Sequence, residues 1–319
     1  MSTKLSPTLK TLVNSPKARG GPIPAPTNVL SVFERVKSSA SKRGLGKHAW
    51  LTLSAATLVT LNSPDSLCRL YSFASQGATI EDQLDTAMLM REAGLKSISF
   101  SGIPRTINSL NALSSHFPPQ IQSLLPTTPT RSLESTSTAL SNTLDNSKHL
   151  WKDIYKPLDE KLLNKLGTSH PDLPIVILEA NYGLLLSNPR KQDVKQMLGS
   201  SKEAPESTST VQSRMTGRVL TSVIAIACLR AQGGVGPQVL SHVFGLKKAA
   251  LSLEEEESIR QNTNETDDER VTKHERAFLT SDEGCEWVLN SVDDIVKLVA
   301  GERISFSGPT VDEPPKAKL

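Results

Sequence analysis

The side chains able to do chemistry in this sequence are few and widely spaced. His242 has the most suggestive setting, "GGVGPQVLSHVFGLKKA" from Gly233 to Ala249, where a glycine turn leads into a helix started by Pro237. At helical spacing it falls about 60° from the stripe Val239, Val243, Leu246 and Ala250, at the border of the expected core. An imidazole there either lines a pocket or hydrogen-bonds locally. Cys68, Cys228 and Cys285 are far apart and form neither CxxC nor a metal-ligand spacing, so neither a disulfide framework nor structural zinc is expected. Cys228 sits in an apolar helix and reads as a buried, inert thiol. His170 and Asp172, two apart in "TSHPDLP", read as a loop and helix cap rather than a metal site. His116, His149 and His274 have no ligand spacing around them. GxSxG, P-loop and GxGxxG motifs are absent, and "GGVG" lacks the Lys-Ser/Thr that phosphate binding needs. Neither a metal nor an organic cofactor is expected.

Composition narrows the scaffold that must hold these groups. The 319 residues are 37% hydrophobic but only 4% aromatic, with Leu, Ala, Ser and Thr dominant, which favours helices over a β-sandwich. A net charge of +3, without Lys/Arg clusters interleaved with aromatics, argues against a nucleic-acid partner. The apolar runs Leu51 to Leu61 and Val219 to Leu229 are too short to span a bilayer. Cysteine usage fits a reducing, cytoplasmic setting. The first 33 residues carry Lys4, Lys10, Lys17 and Arg19 with no acid before Glu34, as in a mitochondrial presequence, but Pro7, Pro16 and "GGPIPAP" interrupt any long amphipathic helix.

Along the chain, residues 1–27 read as a flexible basic tail and 28–117 as a first helical block. Within it, Ser63 is a candidate cap with Pro64 at the first helical position, and Thr79 caps "IEDQLDTAMLMREAGLK". Residues 118–147 are rich in Ser, Thr and Pro and are expected to be a loop with at most one short helix. A second helical block follows over 148–253, with a Ser/Thr connector near 200–213. The acidic stretch 254–275 reads as a solvated loop, 276–304 as an amphipathic C-terminal helix and 305–319 as a disordered tail.

Two stretches share one plan: an apolar helix, a tight turn, and a second helix ending in a small residue. They are "WLTLSAATLVTLNSPDSLCRLYSFASQGAT" and "RVLTSVIAIACLRAQGGVGPQVLSHVFGLKKAA". Together with "SGIPRTINSLNAL", which looks like a Tyr-Gly-x-Pro-Arg-Ala corner with serine for tyrosine, they resemble the carboxymuconolactone decarboxylase and alkylhydroperoxidase D superfamily. The resemblance covers two separated blocks, less than half of the chain. It implies an all-α fold with two related helix-hairpin blocks and a homo-oligomer.

The peroxidase branch of that superfamily uses CxxC followed by a histidine, but the matching positions here hold Val235 and Gln238, and the glutamate position holds Val223. Thiol-peroxidase activity is not expected. The decarboxylase branch works without metal or organic cofactor. It requires a carboxylate-binding arginine and a proton-handling histidine or acid around a small organic acid. The set this implies is His242 for the proton, Arg105 as anion clamp, and Glu92 with Arg91 beside them; Arg69 stands where a symmetric histidine would be. The plainer reading has Arg105 tying down carbonyls at a helix start and Glu92 paired with Lys96 four residues on. The competing function is a non-catalytic binding or assembly protein on the same scaffold.

Overall fold

The structure, a computed structural model, describes residues 5–15, 21–127, 129, 131, 137–188, 215–250 and 270–301. The order is α1 (Pro7–Val13), α2 (Val29–Ser41), α3 (Lys47–Thr60), α4 (Pro64–Ser75), α5 (Ile80–Lys96), α6 (Ile98–Ser101), α7 (Ile103–His116) and α8 (Pro119–Leu124). Then come α9 (Ser137–Tyr155), α10 (Asp159–Ser169), α11 (Leu173–Val176), a π-helical segment (Ile177–Leu186), α12 (Gly217–Gln232), α13 (Gly236–Lys248), α14 (Lys273–Leu279) and α15 (Asp282–Ala300). No strand occurs among the described residues, so the fold is all-α.

Two helix hairpins form the centre, α3–α4 and α12–α13, and their apolar first helices pack against each other. Every residue of α3 from Ala49 to Thr60 is buried, as is nearly all of α12, which suits sequences that are apolar all round rather than on one stripe. Small residues allow the close approach: Cys228 Sγ of α12 lies 3.4 Å from Ser97 Oγ and 3.8 Å from the carbonyl oxygen of Ala56. Each hairpin turns by positive φ before a proline-started helix, at Asn62 before Pro64 and at Gly233 and Gly234 before Pro237. Helices α5 and α15 flank the pair, and α2 lies across α4 and α15. The amphipathic α15 buries Trp287, Val288, Ile295, Val296 and Val299, as its spacing predicts.

Thr79 caps α5 by accepting from Asp82 N at 3.2 Å, whereas Ser63 makes no cap bond, its hydroxyl donating instead to the carbonyl of Ile23 at 2.8 Å. The N-terminal stretch expected as a tail contains the helix α1, capped by Ser6. Helix α9 begins at Ser137, inside the span expected as a loop, and packs on the π-helical segment to form a second small core of Trp151, Ile154, Tyr182 and Leu186. Helix α14 starts at Lys273, within the stretch read as acidic loop, through a complete capping box of Thr272 and Glu275. The expected Ser/Thr connector at 200–213, most of the acidic loop and the tail 305–319 lie outside the described residues.

Candidate functional site

His242 is on the core face of α13, not at its border: His242, Gly245 and Leu246 are buried while Leu240 and Phe244 face outward. The difference from the expected stripe comes from α9, which packs on α13 and is itself backed by the π-helical segment, an added layer that the hairpin pattern does not announce. Gly245 is part of the fit, since a Cβ there would lie 2.7 Å from Ile154 Cγ2 of α9.

Around the imidazole, 6% exposed, lie two aromatic rings, those of Tyr155 and Phe100, and the charge of Arg218. Nε2 is 3.2 Å from Tyr155 Oη, which is 2.7 Å from Tyr182 Oη. Phe100 of α6 meets the ring edge-on at 5.6 Å between centroids. Among the described residues, Nδ1 is buried without a hydrogen-bond partner. Burial, reinforced by the nearby charge of Arg218, lowers the His242 pKa from its ordinary value to about 4, so the ring is neutral at physiological pH. Burial also pushes both tyrosine hydroxyls up, keeping them protonated. Arg218 is itself held by Asp153, Ser222 Oγ and, at 2.9 Å, the carbonyl oxygen of Gly245.

A neutral imidazole has one donor and one acceptor nitrogen. If Tyr155 donates to Nε2, then Nδ1 carries a hydrogen and can donate to a ligand oxygen. If Nε2 donates to Tyr155, Nδ1 is a bare base. The Tyr182–Tyr155 pair can serve either arrangement by reversing its hydroxyls, and so sets which ring nitrogen carries the hydrogen.

Arg105 and Glu92 lie elsewhere. Arg105 Nη1 donates to the carbonyl oxygen of Thr60 at 2.6 Å, closing the C-terminal end of α3. Glu92, 7% exposed, accepts from Arg131 Nη1 at 3.1 Å and Nη2 at 2.5 Å, and its Oε1 is 3.8 Å from Lys96 Nζ. Desolvation opposes its charge, but Arg131 and Lys96 outweigh it, and the carboxyl is held below its ordinary range. No hydrogen bond, ion pair or ring contact joins any two of His242, Arg105 and Glu92 among the described residues.

Tyr155, Tyr182, Arg218 and Arg131 are not among the site residues that the sequence pattern predicts. Tyr155 and Tyr182 are two of only three tyrosines in the chain, both on the added layer, and that scarcity was the available signal. A second, partly buried network lies apart from these residues, with Asp85 Oδ2 3.0 Å from His48 Nε2 and Oδ1 2.8 Å from Arg270 Nη1. The three cysteines are buried and unbridged; burial pushes Cys68 and Cys285 up to about 11 and raises Cys228 too. No group of three or more metal-ligating side chains occurs among the described residues, and no described helix is long and apolar enough to cross a membrane.

Against known proteins, no family model matches the chain and no solved structure matches it. Among curated proteins it is similar to Peroxisomal protein 2 of Saccharomyces cerevisiae, at 22% identity over 267 residues, which covers 67% of this chain and 86% of that protein.

Proposed function

We propose that this chain is a carboxymuconolactone decarboxylase-like helical protein acting, without an organic cofactor, on a small organic acid, with His242 handling the proton. The observation that carries the reading is the buried, partnerless Nδ1 of a neutral histidine whose Nε2 is joined to Tyr155 and Tyr182. Such an atom costs free energy unless a ligand completes it. His242 accepts a proton or donates its single N–H at Nδ1, and the tyrosine pair sets which. Arg105 and Glu92 have no part at that atom: one holds the end of α3, the other a buried ion pair.

The test is turnover of a panel of small oxo- and lactone acids by the full chain, followed by proton NMR. His242→Asn should abolish any turnover found while preserving the circular dichroism spectrum, and Tyr155→Phe should lower it by about tenfold to a hundredfold. Unchanged turnover in folded His242→Asn would reject the role.

Assembly is the second reading, favoured by Leu240 and Phe244, 44% and 53% exposed and one turn apart on the outer face of α13. A second copy of the chain is the proposed occupant, in keeping with the oligomers of the superfamily that the hairpins resemble. Light scattering of Leu240→Glu/Phe244→Glu should then report a smaller particle than the parent chain.

A peroxisomal rather than cytoplasmic or mitochondrial setting belongs to the same proposal. It is supported by the name of the yeast relative. A fluorescent fusion of the chain should be punctate and coincide with a peroxisomal marker; a diffuse distribution would reject the reading.

A further inference from the structure

Arg270 is a core cation only half used. Its side chain is 6% exposed and is held at one corner, where Nη1 donates to Asp85 Oδ1 at 2.8 Å. The residue is fixed at the backbone too, its carbonyl oxygen lying 2.9 Å from His48 Nδ1. The opposite edge of the guanidinium, Nε and Nη2, is buried and meets no hydrogen-bond acceptor among the described residues. Among the described residues, neither Asp85 nor Glu92 serves that edge. The second oxygen of Asp85 faces His48 Nε2, and Glu92, near enough to interact electrostatically with Arg270, has both oxygens engaged by Arg131.

Two guanidinium N–H groups left without an acceptor in a protein interior are costly, and native interiors rarely keep them that way. The Nε/Nη2 edge is also a specific shape, two parallel donors that match the two oxygens of a carboxylate. This chain shows that match at Arg230, whose Nε and Nη2 reach Asp293 Oδ1 and Oδ2 at 2.7 and 2.6 Å. Arg270 presents the same edge in a buried place.

We propose that the Nε/Nη2 edge of Arg270 is the carboxylate-binding point of a buried site for a small organic monoacid. A monoacid is specified because Asp85 and Glu92, on one face of α5 with the buried Leu89 between them, would repel a second carboxylate. Asp85 holds one corner of the guanidinium while His48 holds Asp85 and the Arg270 carbonyl, so the fork is preorganised. The site does not use His242 and stands whether or not that residue acts on a substrate.

The experiment is thermal unfolding of the full chain at fixed ionic strength with sodium propionate, disodium succinate, propionamide or sodium chloride. Propionate should raise the midpoint saturably, succinate less, and propionamide and chloride not at all. Arg270→Lys, which keeps the charge beside Asp85 but loses the fork, should weaken the propionate response by about tenfold or more. His242→Asn should leave it intact, which separates this site from the catalytic reading. Should Arg270→Lys not fold, the Nε–H resonance of Arg270 in the unaltered chain gives the same answer, since propionate must move it. A midpoint that responds to propionate no more than to chloride, an unmoved Nε–H resonance, or an undiminished response in folded Arg270→Lys would overturn the proposal.

Discussion

Acid should destabilise this protein through one identifiable imidazole. The unfolded chain exposes His242 with an ordinary pKa of about 6.5, whereas the folded one refuses the proton until about pH 4. Between those values the unfolded state binds more protons, so stability falls as pH descends through 6.5 and the loss levels off near 4. Linkage puts the loss from His242 between pH 7 and pH 5 at about 2 kcal/mol, and the full loss below the folded pKa at about 3 kcal/mol. Other groups titrate in the same window, so the measurement is a difference. Urea unfolding of the parent chain and of His242→Asn at both pH values should show an acid-induced loss smaller in the variant by about 2 kcal/mol. The histidine ring protons, followed by NMR from pH 8 to pH 4, give a direct reading that requires no variant. Equal acid losses in the two chains, or a His242 titration near its ordinary pKa, would refute the argument that burial without a partner at Nδ1 governs this ring.

Three more outcomes follow from other parts of the molecule. Gly284→Ala should cost about 3 kcal/mol or more or prevent folding, because its Cβ would sit 1.9 Å from the carbonyl oxygen of Phe278; differential scanning calorimetry reads this. Glu92→Leu should cost about 3–5 kcal/mol in urea unfolding by taking the carboxylate from buried Arg131 and Lys96, and a variant as stable as the parent would show that the ion pair is dispensable. At pH 8 the native protein should react slowly with Ellman's reagent, and three thiols should appear at once in denaturant, since burial disfavours each thiolate; rapid native labelling would reopen thiol chemistry.

What could be read from the sequence depended on whether a signal was local. The helical character, the turns before Pro64 and Pro237, the Thr79 cap and the buried state of Cys228 all follow from neighbouring residues, and each is present. The placement of His242 was not local. Its helix shows the spacing of one apolar face, yet the face actually buried is chosen by Ile154 and Tyr155 of α9, about 90 residues upstream. Nor could α9 be read correctly, because its first turns are rich in Ser, Thr and Asn, residues that ordinarily mark connectors. The separation of Arg105 and Glu92 from His242 has the same origin: both lie on helices of the first block, where the end of α3 holds Arg105 and Arg131 holds Glu92.

The pairing of α3 with α12 makes each half of the chain incomplete. A helix buried on every side has no face of its own to show water, and the partner that covers α3 is more than 150 residues away in sequence. A break in the backbone between Leu125 and Ser137 would therefore yield two pieces that are each insoluble or loosely folded alone. Co-expressed, they should find one another and restore a single cooperative unfolding transition, so the molecule is a natural template for a split reporter even though its sequence reads as two tandem blocks.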